Sequence, residues 1–301
     1  MKYKRTRGEV LFDGANCVIM LGVLVMTLYP LLHVLAVSLN DARDAVAGGI
    51  GIIPRRFSLD SYRALFVTHG IFQAFGVSVS RTLLGTVLTV TITSMTAYAM
   101  MDSKMPGYRW IYRFLVVSMF VSGGLIPTFL VYNRLRLYNS FWVYILPNLF
   151  GVWNMNLFRT YMKQIPAEME ESAHLDGAGE LTIFFRIMIP LSLPIIATIS
   201  LFTAVWQWNA WQDTLYYTNR ARLESLQYLL MKVLRQAEAA QISQAAQAAM
   251  RETTLMNTQA AITPESIKMA ITIVATVPIL LVYPFVQRFF VKGIMIGAVK
   301  G

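Results

Sequence analysis

The chain of 301 residues is 56% hydrophobic and only 14% charged, with a mean hydropathy of +0.52. This composition excludes an ordinary water-soluble domain and indicates a membrane protein. The formal net charge of +10 does not predict nucleic-acid binding, because the basic residues are scattered around the ends of apolar segments.

Six long segments contain no Lys, Arg, Asp or Glu. Each is about long enough to cross a bilayer as a helix, at roughly 20 residues per hydrocarbon thickness. We therefore predict an all-α polytopic membrane protein with six transmembrane helices in a single domain, residues 1–301. The predicted helical spans overlap these charge-free segments, most of them without coinciding with them, and are about 14–40, 72–101, 111–133, 139–160, 185–208 and 266–290.

The first span follows the basic segment MKYKRTR, but its apolar run is too long for the core of a cleavable signal and no A-x-A site follows it. We expect it to remain as an anchor. Cys17 lies inside this span and predicts neither a disulfide nor a cysteine metal site. If the N-terminus is cytoplasmic, Lys and Arg divide equally between the cytoplasmic side and the outer side of the membrane. Many of those on the outer side lie in or just after the long loop between spans five and six, and long loops translocate regardless of charge. We therefore favour a cytoplasmic N-terminus.

The first loop, residues 41–71, carries GGIGIIPRRFSLDSY, which predicts an ordered non-helical cap followed by a short helix from Ser58. Several prolines fall in or at the ends of the spans. They predict kinks that would suit a moving cavity, although membrane helices also tolerate proline without such a role.

A short polar segment, residues 163–186, separates spans four and five and would lie inside the cell. Pro166 suits the first turn of a helix, and Glu170 and Glu171 then lie near its positive N-terminal end. Gly177 can adopt the left-handed conformation that ends a helix. The residues alone allow either a rigid protrusion that contacts a partner or a capped amphipathic connector at the membrane face.

The segment between spans five and six, residues 209–265, is rich in Leu, Ala, Gln and charged residues at helical spacing, yet it is too polar to cross a membrane. We predict an extracytoplasmic helical hairpin or lid. A loop of this length is usually functional or a contact surface, and a solvated decoration is the alternative.

The polar segment resembles the cytoplasmic motif of the inner-membrane permeases of binding-protein-dependent ABC importers, which reads E-A-A, three residues, G, nine residues, I-x-L-P. The matching positions are Glu171, Ala173, Gly177, Ile187 and Pro190. Ser172 and Ile189 depart mildly, keeping size or apolarity. The six-span layout, WNAW after span five and the ending KGIMIGAVKG are similar to the carbohydrate permeases of the maltose type, most closely the LplC-like branch.

This resemblance implies a type I importer fold in the bacterial cytoplasmic (inner) membrane, with both termini cytoplasmic. It also implies pairing with a homologous second permease, two ATPase subunits below it, and delivery of an oligosaccharide by an extracytoplasmic solute-binding protein. The loop 163–186 would be the coupling helix that docks in the ATPase, and the loop 209–265 would reach toward the binding protein. The implied ATPase-coupling residues are Glu170, Glu171, Ser172, Ala173, Asp176, Gly177, Ile187 and Pro190.

Two stretches combine aromatic and amide side chains as sugar sites do, LPNLFGVWNMNLF and VWQWNAWQD. The predicted substrate-pathway residues are Asn148, Trp153, Asn154, Asn156, Trp206 and Asn209. The tryptophans could instead form an interfacial belt, and the asparagines could join helices. Arg81, near the outer end of span two, would either anchor its helix to lipid headgroups or tolerate an acidic sugar.

The chain has no G-x-x-x-x-G-K-[ST] loop, so we predict that it is not an enzyme and that ATP and Mg²⁺ are bound by partner subunits. Its three histidines are scattered, and we predict no metal, no cofactor and no nucleic-acid partner for this chain, which contacts membrane lipid. A secondary transporter or channel for a small polar solute is the alternative function. It would require ionisable residues within the spans for proton or ion coupling, and the six segments contain no Lys, Arg, Asp or Glu.

Overall fold

The computed structural model describes residues 6–46, 48–68, 70–103, 105–250 and 264–298. Within these ranges every regular element is helical, apart from an isolated bridge between Asn40 and Phe57, which confirms the all-α prediction. The α-helices are α1 (Arg7–Ser38), α2 (Ala42–Val46), α3 (Asp60–Thr68), α4 (Ile71–Ala99), α5 (Tyr108–Ser118), α6 (Leu125–Arg134), α7 (Val152–Met162), α8 (Glu168–Leu175), α9 (Glu180–Ile183), α10 (Ile189–Leu191), α11 (Leu193–Asn209), α12 (Gln212–Tyr217), α13 (Leu226–Met250) and α14 (Pro264–Ala298). Shorter 3-10 helices cover Phe141–Tyr144, Leu146–Asn148 and Ala221–Leu223, and a π-helix covers Phe184–Met188.

The chain divides into two compact units. The first comprises Met1–Gly70 and Lys232–Thr276, and the second comprises Ile71–Met231 and Val277–Gly301. Helices α13 and α14 contribute residues to both units. The interpretation as a single permease domain stays a prediction.

Helix α1, in the first unit, is a long apolar helix whose side chains are largely exposed. Its start is a capping box, in which Glu9 N donates to Thr6 Oγ1 at 3.3 Å and Thr6 N donates to Glu9 Oε2 at 2.7 Å. Leu11 and Met26 are 76% and 80% exposed, so the helix buries little of its surface against its own unit. Such a surface is typical of a helix that faces lipid or a partner subunit.

The first loop is ordered by hydrogen bonds around Asp44. Its Oδ2 atom accepts from Asn40 Nδ2 at 2.9 Å and from Arg55 Nε at 3.1 Å, and Arg55 Nη2 donates to the carbonyl oxygen of Gly48 at 2.7 Å. The hydrogen bond from Asn40, with the nearby Arg55 guanidinium, holds the pKa of Asp44 below its usual range. The predicted ordered cap is confirmed, although it includes the short helix α2, and α3 begins at Asp60.

Helix α4 is the central helix of the second unit and packs against α7 and α11. Because lipid is as apolar as the side chains, close packing and polar contacts rather than hydrophobic transfer hold such helices together. At Gly85, an added Cβ atom would lie 2.6 Å from Gln207 Nε2, so α4 and α11 approach each other as closely as glycine allows. The buried cluster that joins these helices to α8, α9 and the π-helix comprises Val90, Ala97, Met100, Val152, Met155, Phe158, Met162, Ala173, Ile183, Phe184, Met188 and Ile199.

Two predicted spans, 111–133 and 139–160, are interrupted. The first is divided into α5 and α6, because Gly124 has a φ of +79°, a conformation that does not continue a helix. The second starts with two 3-10 segments and becomes α-helical only at Val152, since Pro147 lacks a backbone donor and Gly151 is extended.

The predicted span 185–208 is bent. The helical stretch Glu180–Leu191 meets α11 at an angle of 83°. Pro194 explains the break, because it cannot donate to the carbonyl oxygen four residues earlier and its ring crowds that oxygen. The polar segment therefore connects to α11 through a sharp corner.

By length and composition, Arg7–Ser38, Ile71–Ala99 and Glu265–Val282 are candidate membrane spans among the described residues. The bent pair Glu180–Leu191 and Leu193–Asn209 adds a fourth if it is one span. Broken helices are tolerated at membrane depth where protein covers the freed backbone groups. The count of six spans, and their predicted bounds, stay predictions.

Candidate functional site

The polar segment folds into helix α8, a tight turn and helix α9, next to the C-terminal end of α4. Helix α8 begins two residues after Pro166, and its first turn holds Glu168, Glu170 and Glu171. Their carboxylates lie at the positive end of the helix dipole, which is a favourable position for negative charge. The expected start of this helix is therefore confirmed to within two residues.

Helix α8 ends in a Schellman motif. Gly177 has a φ of +79°, its N–H donates to the His174 carbonyl oxygen at 3.0 Å, and Ala178 N donates to the Ala173 carbonyl oxygen at 3.0 Å. A Cβ atom at Gly177 would meet nothing within 4 Å. The need for glycine here is thus conformational rather than steric, and the predicted left-handed glycine is confirmed.

The segment has a buried root and an exposed tip. Ala173 is 8% exposed and belongs to the buried cluster of α4 and α7, whereas Glu171, Ser172 and Asp176 are exposed. Of the remaining predicted coupling residues, Glu170 and Ile187 are half-buried, and Gly177 and Pro190 are exposed. Ile187 lies in the π-helix and Pro190 in α10, so the second half of the motif forms the connection toward α11.

The sequence did not predict several residues of this site, among them Leu175, Tyr98 and Glu180. Leu175 is 89% exposed at the end of α8, in a motif interval that carries no residue preference. The Tyr98 hydroxyl, from the last turn of α4, lies 2.9 Å from Glu170 Oε1 and 2.8 Å from Glu180 Oε2. Tyr98 is 72 residues from Glu170 in the sequence, so no local spacing could have indicated this contact.

Glu170, His174 and Glu180 each offer a ligand atom within 4.8 Å of the others, and His174 Nε2 lies 3.5 Å from Glu180 Oε1. Spacing did not indicate this grouping, because the residues come from two helices. Exposed carboxylates commonly cluster without an ion, so the grouping alone does not assign a metal site.

A second polar cluster surrounds Arg81 in the first half of α4. The Arg81 side chain is fully buried and pairs with Asp213, whose Oδ1 atom accepts from Nη1 at 3.0 Å. Its Nε and Nη2 atoms donate to Gln207 Oε1 at 3.3 and 3.1 Å, and Nη1 also donates to the Ala210 carbonyl oxygen at 3.1 Å. The guanidinium lies 4.4 Å from the centre of the Tyr144 ring. Arg81 thus holds residues 207–213 against α4.

This geometry overturns both interpretations of Arg81 drawn from the sequence. Its guanidinium donates to groups of its own chain and has no exposed surface, so it contacts neither lipid headgroups nor an acidic sugar in this conformation. A bidentate carboxylate pair explains the burial, because the charge of Arg81 is balanced where water is excluded.

Trp206 and Asn209 of the predicted substrate pathway lie together. They line a groove of about 670 Å³ at the C-terminal end of α11, with Phe202, Val205 and Trp211 beside them. The indole of Trp206 is half exposed. Trp208 does not line this groove and packs edge-on against Phe75, with ring centroids 6.0 Å apart. Because Trp208 is buried within the second unit, it is not part of an interfacial aromatic belt.

The other predicted pathway residues do not line this groove. Asn156 Oδ1 accepts from the Tyr112 hydroxyl at 3.1 Å, which joins α7 to α5 as the helix-joining alternative expected. Asn148 Nδ2 donates to the Tyr144 carbonyl oxygen at 3.5 Å. Asn154 is half-buried in α7 and Trp153 is 64% exposed. A pathway role for these four residues stays a prediction that the groove does not support.

The helical fold and the exposed motif segment define a membrane permease of an importer. Residues 67–296 match the family described as binding-protein-dependent transport system inner membrane component, and the chain belongs to this family. Over 291 residues it is 38% identical to the polygalacturonan/rhamnogalacturonan transport system permease protein YtcP of Bacillus subtilis (strain 168), covering 97% of this chain and 99% of that protein. It is also 36% identical over 300 residues to Protein LplC of the same strain, covering 98% and 97%.

The fold has a solved counterpart. A chain in the crystal structure of a bacterial ABC transporter involved in the import of the acidic polysaccharide alginate superposes with a TM-score of 0.80 at 23% identity, covering 96% of this chain and 100% of that one. The resemblance identified from the motif is therefore confirmed, and the chain is an inner membrane transport component with an ABC importer permease fold.

Proposed function

We propose that this chain is the permease subunit of an ATP-driven importer that moves an oligosaccharide across the bacterial cytoplasmic membrane. The family supports the transport class, and a relative named for polygalacturonan and rhamnogalacturonan transport supports the substrate class. In this proposal both termini are cytoplasmic, a homologous second permease completes the pathway, two partner subunits bind ATP and Mg²⁺, and a solute-binding protein delivers the sugar outside. The loop 209–265 then faces that binding protein.

The exposure of Leu175 carries the coupling part of the proposal. Leu175, Met169 and Leu181 are 89%, 46% and 64% exposed on a segment otherwise rich in carboxylates. A helix–turn–helix segment that exposes apolar side chains among charged ones has the anatomy of a protein interface. Together with the matched motif, this supports docking of α8 in a cleft of the ATPase.

The connections of α8 support a lever mechanism. Ala173 roots it in the cluster beside α4, and α9 leads through the π-helix and the 83° corner into α11. Movement of α8 when the ATPases close therefore reorients α11 and α4 together. The groove at the far end of α11 would then alternate between access from outside and access from inside.

The groove offers suitable chemistry for sugar. An indole face such as that of Trp206 packs against the C–H surface of a pyranose ring, and the amide of Asn209 suits a hydroxyl group. Asn209 Oδ1 accepts from Gln227 Nε2 at 3.2 Å, so its amide is already oriented by the start of α13.

We expect Leu175→Asp to abolish stimulated ATPase activity and uptake of sugar by the reconstituted importer, because it introduces a charge into the apolar centre of the docking surface. Uptake is measured in proteoliposomes with trigalacturonate and maltotriose as probes, and ATPase subunits that copurify are quantified. Ile53→Asp is the matched control, since Ile53 is 73% exposed in the first loop.

Equal uptake by the Leu175→Asp and Ile53→Asp variants would contradict docking through α8. Uptake by wild-type protein without ATP would instead favour the secondary transporter, the alternative function considered above.

A further inference from the structure

We propose that Tyr98 is a positioning residue for coupling, and that its hydroxyl, shared between Glu170 and Glu180, transmits the movement of α8 to α4. The proposal rests on the proposed coupling function of α8. Tyr98 lies in the last turn of α4, Glu170 in α8 and Glu180 in α9, so one hydroxyl joins the three helices.

The ring of Tyr98 is fixed independently of its hydroxyl. It packs on Phe184 with ring centroids 5.5 Å apart, and Phe184 is 2% exposed within the buried cluster. Since the ring is held by this contact, the hydroxyl reaches the two carboxylates from a defined position. A substitution that keeps the ring therefore isolates the contribution of the hydroxyl.

A phenol has a single proton, so Tyr98 donates to only one of the two carboxylates at a time. The other carboxylate then faces the phenol oxygen and a second negative charge without that donor. Donation to Glu170 favours an arrangement with α8 close to α4. Donation to Glu180 favours an arrangement with α9 close to α4. The bridge thus has two discrete arrangements, which is the property required of an element that switches rather than deforms.

The bridge borders an open cleft of about 760 Å³ between the end of α4 and the polar segment. Glu171, His174 and Asp102 line the same cleft, so it is strongly acidic. The cleft leaves room for α8 to move relative to α4, and Tyr98 lies at its border in contact with Glu170. Met95 of α4 also lines this cleft, but its side chain is apolar, so it does not make the polar contact to α8 that Tyr98 makes.

The same helix carries Arg81, 17 positions before Tyr98, or about 25 Å along the axis at 1.5 Å per residue. Arg81 holds residues 207–213, which border the sugar groove. Helix α4 therefore has a polar contact to the coupling segment near one end and a polar contact to the groove segment in its other half. Tyr98 makes the first of these contacts, to Glu170 of α8.

Tyr98→Phe tests this role. In the assembled importer we expect ATPase activity stimulated by sugar-loaded binding protein, and uptake, to fall about tenfold, the change that loss of one charge-assisted hydrogen bond produces. ATPase activity without binding protein and the amount of copurified ATPase should remain as in wild type, since the docking surface is intact. Tyr62→Phe is the matched control, because it loses a hydrogen bond to Ser38 in the first unit.

A rescue variant distinguishes positioning from packing. Tyr98→Phe combined with Glu180→Gln removes one of the two carboxylate charges that have lost the Tyr98 donor, and should recover uptake to within about threefold of wild type. Tyr98→Phe uptake within twofold of wild type, or a double variant no better than the single one, would overturn the proposal. A wild-type importer without stimulated ATPase activity would instead overturn the proposed function on which it rests.

Discussion

Gly177→Pro should abolish sugar uptake while leaving membrane insertion intact. Proline fixes φ near −65°, whereas Gly177 has a φ of +79° and donates a backbone hydrogen bond to His174 that proline cannot make. The Schellman turn is then lost, and α8 can no longer present Leu175 at a fixed position. Uptake in proteoliposomes and the amount of protein in the membrane fraction measure the two outcomes.

Gly177→Ala should have a smaller effect in the same direction, because a left-handed alanine costs about 1–2 kcal/mol. Gly179→Ala is the control, since Gly179 has a φ of −79° and a Cβ atom there meets nothing within 4 Å. Normal uptake by Gly177→Pro would show that the shape of this turn does not matter for coupling. Glu171→Lys, which reverses charge in the first turn of α8, should likewise abolish uptake.

Arg81→Met should strongly destabilise the protein. It leaves the carboxylate of Asp213, which is 14% exposed, without its buried partner, and breaking such a pair costs about 3–5 kcal/mol. Gln207 and the Ala210 carbonyl also lose their donors. We expect a lower yield and a lower unfolding temperature in detergent, followed by thermal denaturation of the purified importer.

The double variant Arg81→Met, Asp213→Leu should recover part of that loss, because the unpaired charge is gone. Arg81→Lys should recover little, since a lysine cannot donate to Asp213, Gln207 and Ala210 with the fixed fork of a guanidinium. If Arg81→Met and wild type unfold at the same temperature, Arg81 does not hold the groove segment in solution as it does in the structure.

Local features of this protein could be predicted from its sequence. The left-handed Gly177 depends on its own backbone, and the apolar composition of α1 requires no knowledge of its neighbours. The interruptions of the spans could be predicted in part, because Gly124 and Pro194 are residues that often break helices. A search for charge-free segments, however, does not detect helix breaks.

Contacts between distant residues could not be predicted. Arg81 and Asp213 are 132 positions apart, and Tyr98 and Glu180 are 82 apart, so neither pair has a spacing that a sequence pattern could reveal. For Arg81 this gap led to two wrong interpretations, both of which treated a buried, paired side chain as an exposed one. Likewise, Asn156 joins two helices because of a tyrosine 44 positions away.

Crosslinking from the tip of α8 tests the central claim most directly. The sequence has one cysteine, Cys17, which is exposed. In a Cys17→Ser background, a single cysteine can therefore be placed at position 175 or at position 53 and labelled with a photoactivatable crosslinker. We predict that position 175 crosslinks to the ATPase subunit of the assembled importer and that position 53 does not. A position 175 that reacts only from outside the cell, or that crosslinks to no other subunit, would contradict the account.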